Sequence, residues 1–251
     1  MQKLDCGLDQ TTISGSNRLL AMPQASDEEC ALVRPSAASA QYAHASIQSA
    51  QSSRRLTDII CALILLVMLA PLLMIIAVLV AVTSPGPVIF AHRRLGMNGK
   101  TFPCLKFRTM RPDAERVLAA LLASDPQLRA EWNNGYKLAK DPRITTIGRF
   151  LRATSLDELP QLFNVLRSDM TLVGPRPIVR EELTFYGRYA LHYFSVRPGL
   201  TGLWQVSGRS MTTYRRRVAA DVYYVRSRSL RLDTWILLGT VPAVLSTEGS
   251  Y

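Results

Sequence analysis

The hydrophobic pattern of the chain is dominated by one long apolar run. Residues 59–82, IICALILLVMLAPLLMIIAVLVAV, contain no charged side chain. As a single helix they would extend roughly 36 Å at ~1.5 Å per residue, which is enough to cross the hydrocarbon core of a bilayer. Core helices of soluble proteins seldom run this long without polar interruption. The pattern therefore predicts a membrane helix, which we assign to residues 54–85.

Pro71 lies in the middle of this run, where proline should break or kink the helix. Arg54 and Arg55 precede the run, and Arg93 and Arg94 follow it, so the basic flanks give no preferred orientation. We favour a re-entrant helix that bends at the proline and returns to its own side of the membrane. A kinked helix that spans the bilayer is the alternative. If the helix is re-entrant, the rest of the chain stays cytosolic.

The two ends of the chain have weaker patterns. Residues 1–53 are rich in Ser, Ala and Gln without sustained periodicity, which predicts a disordered N-terminal tail, and no signal-peptide pattern opens the chain. Residues 221–245 mix arginines and aromatic residues with an apolar stretch that is too short to span a membrane. They fit either a helix at a membrane surface or an amphipathic helix packed on the core.

Strand-like alternation follows the apolar run. Residues 88–110 indicate a β-hairpin, because Asn98 and Gly99 suit the positive φ angles of a tight turn. The alternation puts Lys106 and Arg108 on one face of the second strand, which is either a solvated edge or a surface that holds phosphate. Helical periodicity prevails elsewhere. The sequence thus predicts a mainly α fold with a small β-hairpin (α+β).

Composition and charge narrow the class of protein. The chain is 48% hydrophobic and 20% charged, which suits a globular core, and its 4 cysteines are scattered without C-x-x-C spacing. This spacing favours a reducing compartment over a disulfide framework or a cysteine metal site. The net charge of +11 indicates polyanionic partners: nucleic acid, anionic lipid or phosphorylated substrates. Because no nucleic-acid reading element is recognisable, we expect no nucleic-acid partner.

The most informative short stretch is SLDELP, residues 155–160. Ser155 and Glu158 have the spacing of a capping box, which would require no function. Pro160 opposes that interpretation, because in a helix capped by Ser155 its ring would crowd a backbone carbonyl. If the helix begins near Pro160 instead, Asp157 and Glu158 lie in the preceding turn and face the electropositive helix end. The segment alone leaves both alternatives open.

Two later loops combine arginine with stiff or glycine-rich backbone. Arg176 lies between two prolines, which hold its side chain in one direction. In residues 197–209, several glycines are flanked by Arg197 and Arg209. This composition suits a bound diphosphate, although ordinary turns use the same residues.

Taken in order, KFRTM, SLDELPQL, LVGPRP and RPGLTGLWQVSGR closely resemble motifs of the bacterial sugar transferase family. These are monotopic phosphoglycosyl transferases that start polysaccharide assembly. The resemblance extends from about residue 54 to the C-terminus. It implies a re-entrant membrane helix and a cytosolic catalytic domain, residues 86–251, at the bacterial inner membrane. Ala70 stands where a serine is common in the family, which leaves the shape of the bend open.

The resemblance also implies a reaction, the transfer of hexose-1-phosphate from a UDP-hexose to undecaprenyl phosphate with release of UMP. Asp157 and Glu158 occupy the positions of the family's acidic pair. We expect Asp157 to be the nucleophile and a Mg²⁺ ligand, and Glu158 to assist the metal or a proton. Arg176 would clamp a phosphate, and Lys106 with Arg108 would orient the diphosphate.

Arg209 and Asp221 complete the expected site, the first as a phosphate ligand and the second as an additional carboxylate. Within the family the resemblance is closest to exopolysaccharide production proteins that use UDP-galactose, although glucose-using relatives look similar. The oligomeric state is open, with a homodimer as one option. Two alternative functions are a membrane-anchored adaptor that binds polyanions and a glycosyltransferase that moves the sugar without its phosphate. The second would release UDP.

Overall fold

The computed structural model of the protein describes residues 37–133, 138, 141–207 and 213–245. Strands form two small sheets: β1 (Ile89–Leu95), β2 (Thr101–Phe107), β3 (Thr171–Val173) and β4 (Gly199–Thr201). The helices are α1 (Ala37–Thr83), α2 (Ala114–Ser124), α3 (Pro126–Asn133), α4 (Thr146–Ala153), α5 (Gln161–Leu166), α6 (Leu183–Tyr186), α7 (Ala190–Phe194), α8 (Leu203–Ser207), α9 (Tyr214–Ser227) and α10 (Leu230–Leu245). Short 3₁₀ turns cover Met97–Gly99, Leu156–Glu158 and Gly187–Tyr189. The predicted mainly helical fold with a small antiparallel hairpin is confirmed.

The apolar run lies in helix α1, which continues through Pro71. The part Arg54–Thr83 is long and apolar enough to cross a membrane, and its most apolar window of 18 residues has a mean hydropathy of 3.2. Leu63, Val67 and Met68 are among its many exposed apolar side chains. This helix fits a membrane anchor, as the sequence predicts. Because proline does not end the helix here, a re-entrant path requires a bend within α1, and that bend stays a prediction.

Helix α1 begins earlier than expected. It starts at Ala37, so residues 37–53 are helical where the sequence predicts disorder, and residues 1–36 lie outside the described ranges. Alanine is the best helix former, and extending an existing helix avoids the cost of nucleation. The polar stretch can therefore continue the apolar helix towards its N-terminus. The chain divides into two units at Gln48 and Ser49, and all following elements belong to the second.

The hairpin of β1 and β2 forms as the sequence predicts. The strands pair antiparallel with Ile89 opposite Phe107 and Leu95 opposite Thr101. Asn98 has a φ of 58° and Gly99 a φ of 73°, which closes the connection between them.

The second sheet explains the glycines of the later loops. Strands β3 and β4 pair parallel, and a Cβ atom on Gly199 would collide with the backbone of Gly174. A Cβ atom on Gly202 would also meet the Gly174 backbone. These glycines therefore allow two backbone segments to approach each other rather than a ligand. Gly208, the other glycine of that loop, lies outside the described residues.

The N-terminal part of the membrane helix is anchored by half-buried polar groups. The Arg55 guanidinium donates to the carbonyls of Val165, at 2.5 Å, and Leu166, at 3.2 Å. The Asp58 carboxylate accepts a 2.6 Å hydrogen bond from the Thr171 hydroxyl and a 3.2 Å bond from the Leu172 amide. This end of the apolar run is thus tied to α5 and β3.

The C-terminal part of α1 contacts the same folded unit. Ile76 and Val80 are buried in a cluster with Phe107 of β2 and Leu151 of α4. Beyond the helix end, the carbonyl of Ser84 accepts a 2.5 Å hydrogen bond from the Arg108 guanidinium. Both ends of the apolar run therefore rest on the domain that follows it.

Helix α10 agrees in part with both interpretations of the C-terminal segment, a helix at a membrane surface and a helix packed on the core. Ile236 is fully buried in a core cluster with Val165, Met170 and Tyr224. On the same helix, Leu238 is 69% exposed, and Trp235 and Val241 are 54% and 60% exposed. One face is thus packed on the core, while apolar side chains on the rest of the helix suit a membrane surface.

Candidate active site

The acidic pair lies in the turn between α4 and α5. Asp157 and Glu158 occupy a 3₁₀ turn, and α5 begins at Gln161 directly after Pro160. Ser155 has a φ of 56°, and its hydroxyl makes no capping hydrogen bond. The capping-box interpretation is therefore wrong, because Ser155 precedes only a short 3₁₀ turn, adopts a left-handed conformation and makes no capping hydrogen bond with its side chain. The alternative, a helix that begins near the proline, is confirmed.

Buried groups hold this turn against the hairpin. Asn164 of α5 is fully buried, and its amide oxygen accepts a 2.9 Å hydrogen bond from the Leu105 amide. Its amide nitrogen donates to the Pro103 carbonyl at 2.8 Å and to Asp169 at 3.2 Å. Because all three bonds involve one side chain, α5 and β2 keep a fixed register. Sequence analysis did not identify this residue, since a lone asparagine in a helix carries no distinguishing pattern.

Lys106 of β2 lies beside both acids. Its Nζ atom is 2.5 Å from Glu158 Oε1 and 4.0 Å from Asp157 Oδ2. Glu158 therefore takes the cation as a direct hydrogen-bond partner, whereas Asp157 feels it at longer range. The sequence-based expectation that Lys106 belongs to the site agrees with this placement.

The environment separates the acidities of the two carboxyl groups. Burial, reinforced by the neighbouring charge of Glu158, raises the pKa of Asp157 to about 6. Burial also opposes ionisation of Glu158, but Lys106 and Arg176 outweigh it and hold the pKa of that carboxyl down at about 2. Near neutral pH, Glu158 is thus a fixed anion, and Asp157 is an ionised carboxylate that takes no hydrogen bond from Lys106, 4.0 Å away. Such a carboxylate is a competent nucleophile.

A cleft opens beside Glu158 and has a positive lining. Its cavity volume is about 10 Å³, within about 250 Å³ of empty space that includes open solvent. Arg94, Lys106 and Arg176 line it together with Gln161 and other residues. Burial and the charge of Arg176 lower the pKa of Arg94, which also forms a 3.4 Å ion pair with Glu182. Three cations around one cleft suit a ligand with several negative charges, such as a diphosphate.

Arg94 was expected only as a basic flank of the membrane helix. The hairpin register shows its other role, since Arg94 pairs with Phe102 and Lys106 pairs with Phe90. Residues opposite each other in an antiparallel pair share a face, so Arg94, Phe102 and Lys106 lie on the same face of the hairpin. Because the turn at Asn98 fixes this register, the sequence alone could have predicted that Arg94 lies on the same face of the hairpin as Lys106.

The loop that carries Arg176 is held by hydrogen bonds to the hairpin. The Leu95 amide donates to the Ile178 carbonyl at 2.8 Å. The Tyr193 hydroxyl donates to the Leu95 carbonyl at 2.7 Å and accepts from the Ile178 amide at 3.2 Å. These bonds keep Arg176 beside Arg94, and its guanidinium carbon lies 5.9 Å from the centre of the Trp204 ring.

Arg152 of α4 is a second cation that sequence analysis missed. Its Nε atom donates to the Thr109 hydroxyl at 2.9 Å, and its charge acts on the Asp157 carboxyl. Burial lowers the pKa of Arg152, while Asp157 raises it. Arg152 is therefore the cation that acts on Asp157 from α4, whereas Lys106 forms its ion pair with Glu158.

Among the described residues, Arg108 and Asp221 do not line the cleft, and Asp157 adjoins it through Glu158 and Lys106 without lining it. Arg108 is buried and donates to the Ser84 carbonyl, while its backbone amide still pairs with the Val88 carbonyl of the hairpin. Asp221 accepts a 2.6 Å hydrogen bond from the Tyr186 hydroxyl, and burial raises the pKa of its carboxyl to about 7. It belongs to the interior between α6 and α9 and does not line the cleft, so the expected role of Asp221 in the site stays a prediction without support from this geometry. Arg209 lies outside the described residues.

The acidic pair fits Mg²⁺ in part. Within the described ranges no cluster of three His, Cys, Asp or Glu side chains could hold a metal ion. Magnesium is commonly held by one or two carboxylates together with substrate phosphates, so a complete protein cage is not required. Asp157 is the better candidate ligand, since a cation would offset the burial that raises its pKa, whereas Glu158 already has Lys106.

Comparison with known proteins identifies the class of this fold and site. Residues 49–247 match the family model described as bacterial sugar transferase. The chain belongs to this family.

Individual relatives differ in their length and in the sugar they are named for. An undecaprenyl-phosphate galactose phosphotransferase from Salmonella typhimurium is 48% identical over 204 residues, which cover 81% of this chain and 43% of that protein. The exopolysaccharide production protein ExoY from Sinorhizobium fredii is 47% identical over 199 residues, covering 79% of this chain and 88% of that protein. A UDP-glucose:undecaprenyl-phosphate glucose-1-phosphate transferase from Caulobacter vibrioides is 41% identical over 209 residues, covering 79% and 72%. This chain thus spans less than half of the Salmonella protein and most of ExoY.

Proposed function

We propose that this protein transfers hexose-1-phosphate from a UDP-hexose to undecaprenyl phosphate and releases UMP, as a first membrane step of exopolysaccharide synthesis. The observation that carries the proposal is the division of roles within the acidic pair. Lys106 neutralises Glu158, which lines the cleft with the cations, while the adjacent Asp157 keeps an ionised carboxylate 4.0 Å from Lys106 Nζ. A binding adaptor would not need a nucleophile in this position.

In the first half-reaction, an Asp157 carboxylate oxygen attacks the β-phosphorus of the UDP-hexose. A bond forms between that oxygen and the phosphorus, and the bond from the phosphorus to the bridging oxygen breaks. UMP leaves with the electron pair, and the hexose-phosphate is bound to Asp157. Lys106, Arg94 and Arg176 are placed to stabilise the charge on the departing phosphate.

In the second half-reaction, a phosphate oxygen of undecaprenyl phosphate attacks the phosphorus held on Asp157. The new diphosphate bond forms as the aspartyl bond breaks, which regenerates the carboxylate. Two in-line displacements at one phosphorus divide the transfer into steps with lower barriers. Arg152, on the Asp157 side of the turn, is placed to orient the incoming anion.

Asp157 would hold Mg²⁺ together with oxygens of the diphosphate. When bound, the metal would neutralise phosphate charge and so allow an anionic nucleophile to approach. The sequence resemblance and the raised pKa of Asp157 support this assignment.

We also propose that α1 re-enters the membrane and that the catalytic domain faces the cytosol at the inner membrane. Arg55 and Asp58 at one end of the apolar run, and Val80 and Ser84 at the other, contact the same domain. A helix that crossed a bilayer would place its ends on opposite sides of the membrane. The shared contacts therefore support a path that begins and ends on one side.

For the donor we propose UDP-galactose, with UDP-glucose as the alternative. The Salmonella relative is named for galactose, whereas the Caulobacter relative is named for glucose. Their identities to this chain, 48% and 41%, favour galactose.

The decisive experiment omits the lipid acceptor. Purified protein with Mg²⁺ is incubated with UDP-galactose or UDP-glucose and analysed by intact mass spectrometry. We expect a hexose-phosphate adduct on the wild-type chain, faster with galactose, and none on Asp157→Asn. Absence of an adduct with both sugars, in folded protein that turns over once acceptor is added, would contradict the covalent mechanism.

Product analysis separates this reaction from simple glycosyl transfer. With both substrates present, phosphoglycosyl transfer releases UMP, whereas a glycosyltransferase releases UDP. The lipid product should carry a diphosphate between the polyprenyl chain and the hexose. Release of UDP would overturn the proposed function.

A further inference from the structure

Arg108 is a buried cation whose hydrogen bonds are incomplete. Its side chain is only 8% exposed. One nitrogen, Nη2, donates to the Ser84 carbonyl at 2.5 Å, while Nε and Nη1 have no hydrogen-bond partner among the described residues. Within those ranges no carboxylate lies within 4.0 Å of the Arg108 guanidinium. A buried cation without an anion is costly, so this arrangement calls for a ligand.

A third unpaired group lies at the same place. The hydroxyl of Ser84 is buried and has no hydrogen-bond partner in the described structure, while the carbonyl of the same residue holds Arg108. A purely structural role for Arg108 would be to cap the C-terminal end of α1, where cations are favourable. That role uses Nη2 alone. It leaves two guanidinium nitrogens, Nε and Nη1, and one hydroxyl that could donate to the same anion.

Gly86 leaves room beside this guanidinium. Its φ is +109°, and a Cβ atom at this position would lie 2.6 Å from Arg108 Nη1. Any other side chain would therefore both strain the backbone and press on the guanidinium. The exposed segment Pro85–Gly86–Pro87 therefore passes Nη1 without placing a side chain of residue 86 against it.

A large cavity lies next to Ser84, the residue whose carbonyl holds Arg108, although Arg108 itself does not line it. It has a volume of about 640 Å³. Arg111 and Asp113, which form a 3.2 Å ion pair, also line it, and Thr145 and Thr146 form the N-terminal end of α4 there. Thr83, the last residue of the apolar helix, lines the same cavity, which places the cavity where the chain leaves the membrane. A ligand at this level would come from the lipid headgroup region.

We propose that Arg108 and Ser84 bind the phosphate group of a membrane lipid, at a site separate from the cation-lined cleft beside Glu158. The residues that line that cleft do not include Arg108. A tetrahedral phosphate can accept from Nε, Nη1 and the serine hydroxyl together, in the manner of arginine–phosphate pairs. Two lipids share this chemistry: an anionic phospholipid such as phosphatidylglycerol and a polyprenyl phosphate. Only the second would connect the site to the proposed function.

The test measures lipid retention without turnover. Full-length Asp157→Asn protein, purified in a phosphate-free sugar detergent, is mixed with undecaprenyl phosphate or phosphatidylglycerol and examined by native mass spectrometry. Arg108→Lys and Ser84→Ala are introduced into this background. Arg116→Lys, at an exposed arginine of α2, is the matched control. Ser84→Ala keeps the carbonyl that Arg108 caps, so it tests binding without loss of that contact.

We expect retention of at least one of the two lipids, weakened about tenfold or more by Arg108→Lys and a few-fold by Ser84→Ala, as for the loss of hydrogen bonds to a charged group. Arg116→Lys should retain lipid like the background. Retention of undecaprenyl phosphate would assign an acceptor site, and retention of phosphatidylglycerol alone would assign a resident lipid. Retention of neither lipid, or equal retention in all variants, would overturn the proposal. Because the Asp157→Asn background has no nucleophile to form an adduct, this result is independent of whether the covalent mechanism holds.

Discussion

Lys106 is paired with Glu158, at 2.5 Å, and not with the neighbouring Asp157, whose nearer oxygen is 4.0 Å away. Two adjacent carboxylates would repel each other strongly in a buried turn if both lacked a partner. The lysine removes this conflict for one of them. As a result Glu158 contributes a fixed ion pair, and Asp157 remains free to react.

Removal of the Lys106 charge should therefore affect both acids. In Lys106→Met, the pKa of Glu158 should rise and the cleft should lose a cation that faces the departing phosphate. We expect adduct formation to slow by about 10²-fold, the usual scale for one group that stabilises developing charge. Rapid-quench mass spectrometry measures this rate. Lys100→Met, at an exposed lysine of the same hairpin, should react like the wild type.

The rate of adduct formation should depend on the ionisation of Asp157. Since the nucleophile is the ionised form and its pKa is about 6, the rate should rise with pH through about 6 and level off above 7. Glu158 is already ionised across this range, because its pKa is about 2. Single-turnover rates between pH 5 and 8 test this expectation. A rate that falls with rising pH would indicate that another group limits the step.

The same shifts predict opposite effects of two adjacent substitutions on stability. The folded pKa of Asp157 lies above its ordinary value of 3.8, so stability is lost as pH rises from about 4 to 6, and Asp157→Asn should raise the melting temperature at pH 8. The folded pKa of Glu158 lies below its ordinary value of 4.5, so its contribution is present above that value and is lost as pH falls towards 2. Glu158→Gln should therefore lower the melting temperature at pH 8.

Melting curves of the two variants at pH 8 and pH 4.5 check this prediction. Each variant is the control for the other, since both remove one charge from the same turn. At pH 4.5 the difference between Asp157→Asn and wild type should shrink, because the Asp157 carboxyl is then largely protonated in the folded protein. Shifts of the same sign for both variants at pH 8 would show that the Lys106 pairing does not control the two acidities.

Several secondary-structure elements of this fold can be predicted from the sequence. The membrane-anchor helix and the hairpin with its Asn98–Gly99 turn follow from local rules of periodicity and turn chemistry, whereas the helix start near Pro160 was one of two alternatives that the segment left open. Lys106 lies beside the acidic pair on the regular part of β2, and its role there stays a prediction. Arg108 is directed to the Ser84 carbonyl instead of the cleft, a contact with a distant segment that strand alternation alone does not predict.

Tertiary packing determines the surroundings of individual residues, which could not be predicted from the sequence. Asp221 and Asn164 are both polar residues on helices, and no local pattern shows that one is buried against Tyr186 and the other against β2. Gly199 and Gly202 were compatible with a phosphate loop until the parallel pairing of β3 and β4 showed backbone contacts there. Such distinctions depend on which distant segments meet.

Asn164 should be essential for the rigidity of the catalytic turn. Asn164→Ala would leave the Leu105 amide and the Pro103 carbonyl without their buried partner, which should cost about 3 kcal/mol of stability. Because α5 would lose its register on β2, adduct formation should slow as well. Thermal unfolding followed by tryptophan fluorescence measures the first effect. Gln127→Ala, at an exposed position on α3, should change neither quantity.

The topology of α1 is open to a direct test. A re-entrant helix places position 50, before the apolar run, and position 100, in the hairpin, on the same cytosolic side. Single cysteines at Ala50 and Lys100, in a chain whose 4 natural cysteines are replaced, would be treated with a membrane-impermeant maleimide. We expect both to be protected in intact cells and labelled after permeabilisation. A spanning helix would instead leave one of the two labelled from outside, and the contacts that Asp58 and Ser84 make with one domain could then not both persist in the membrane.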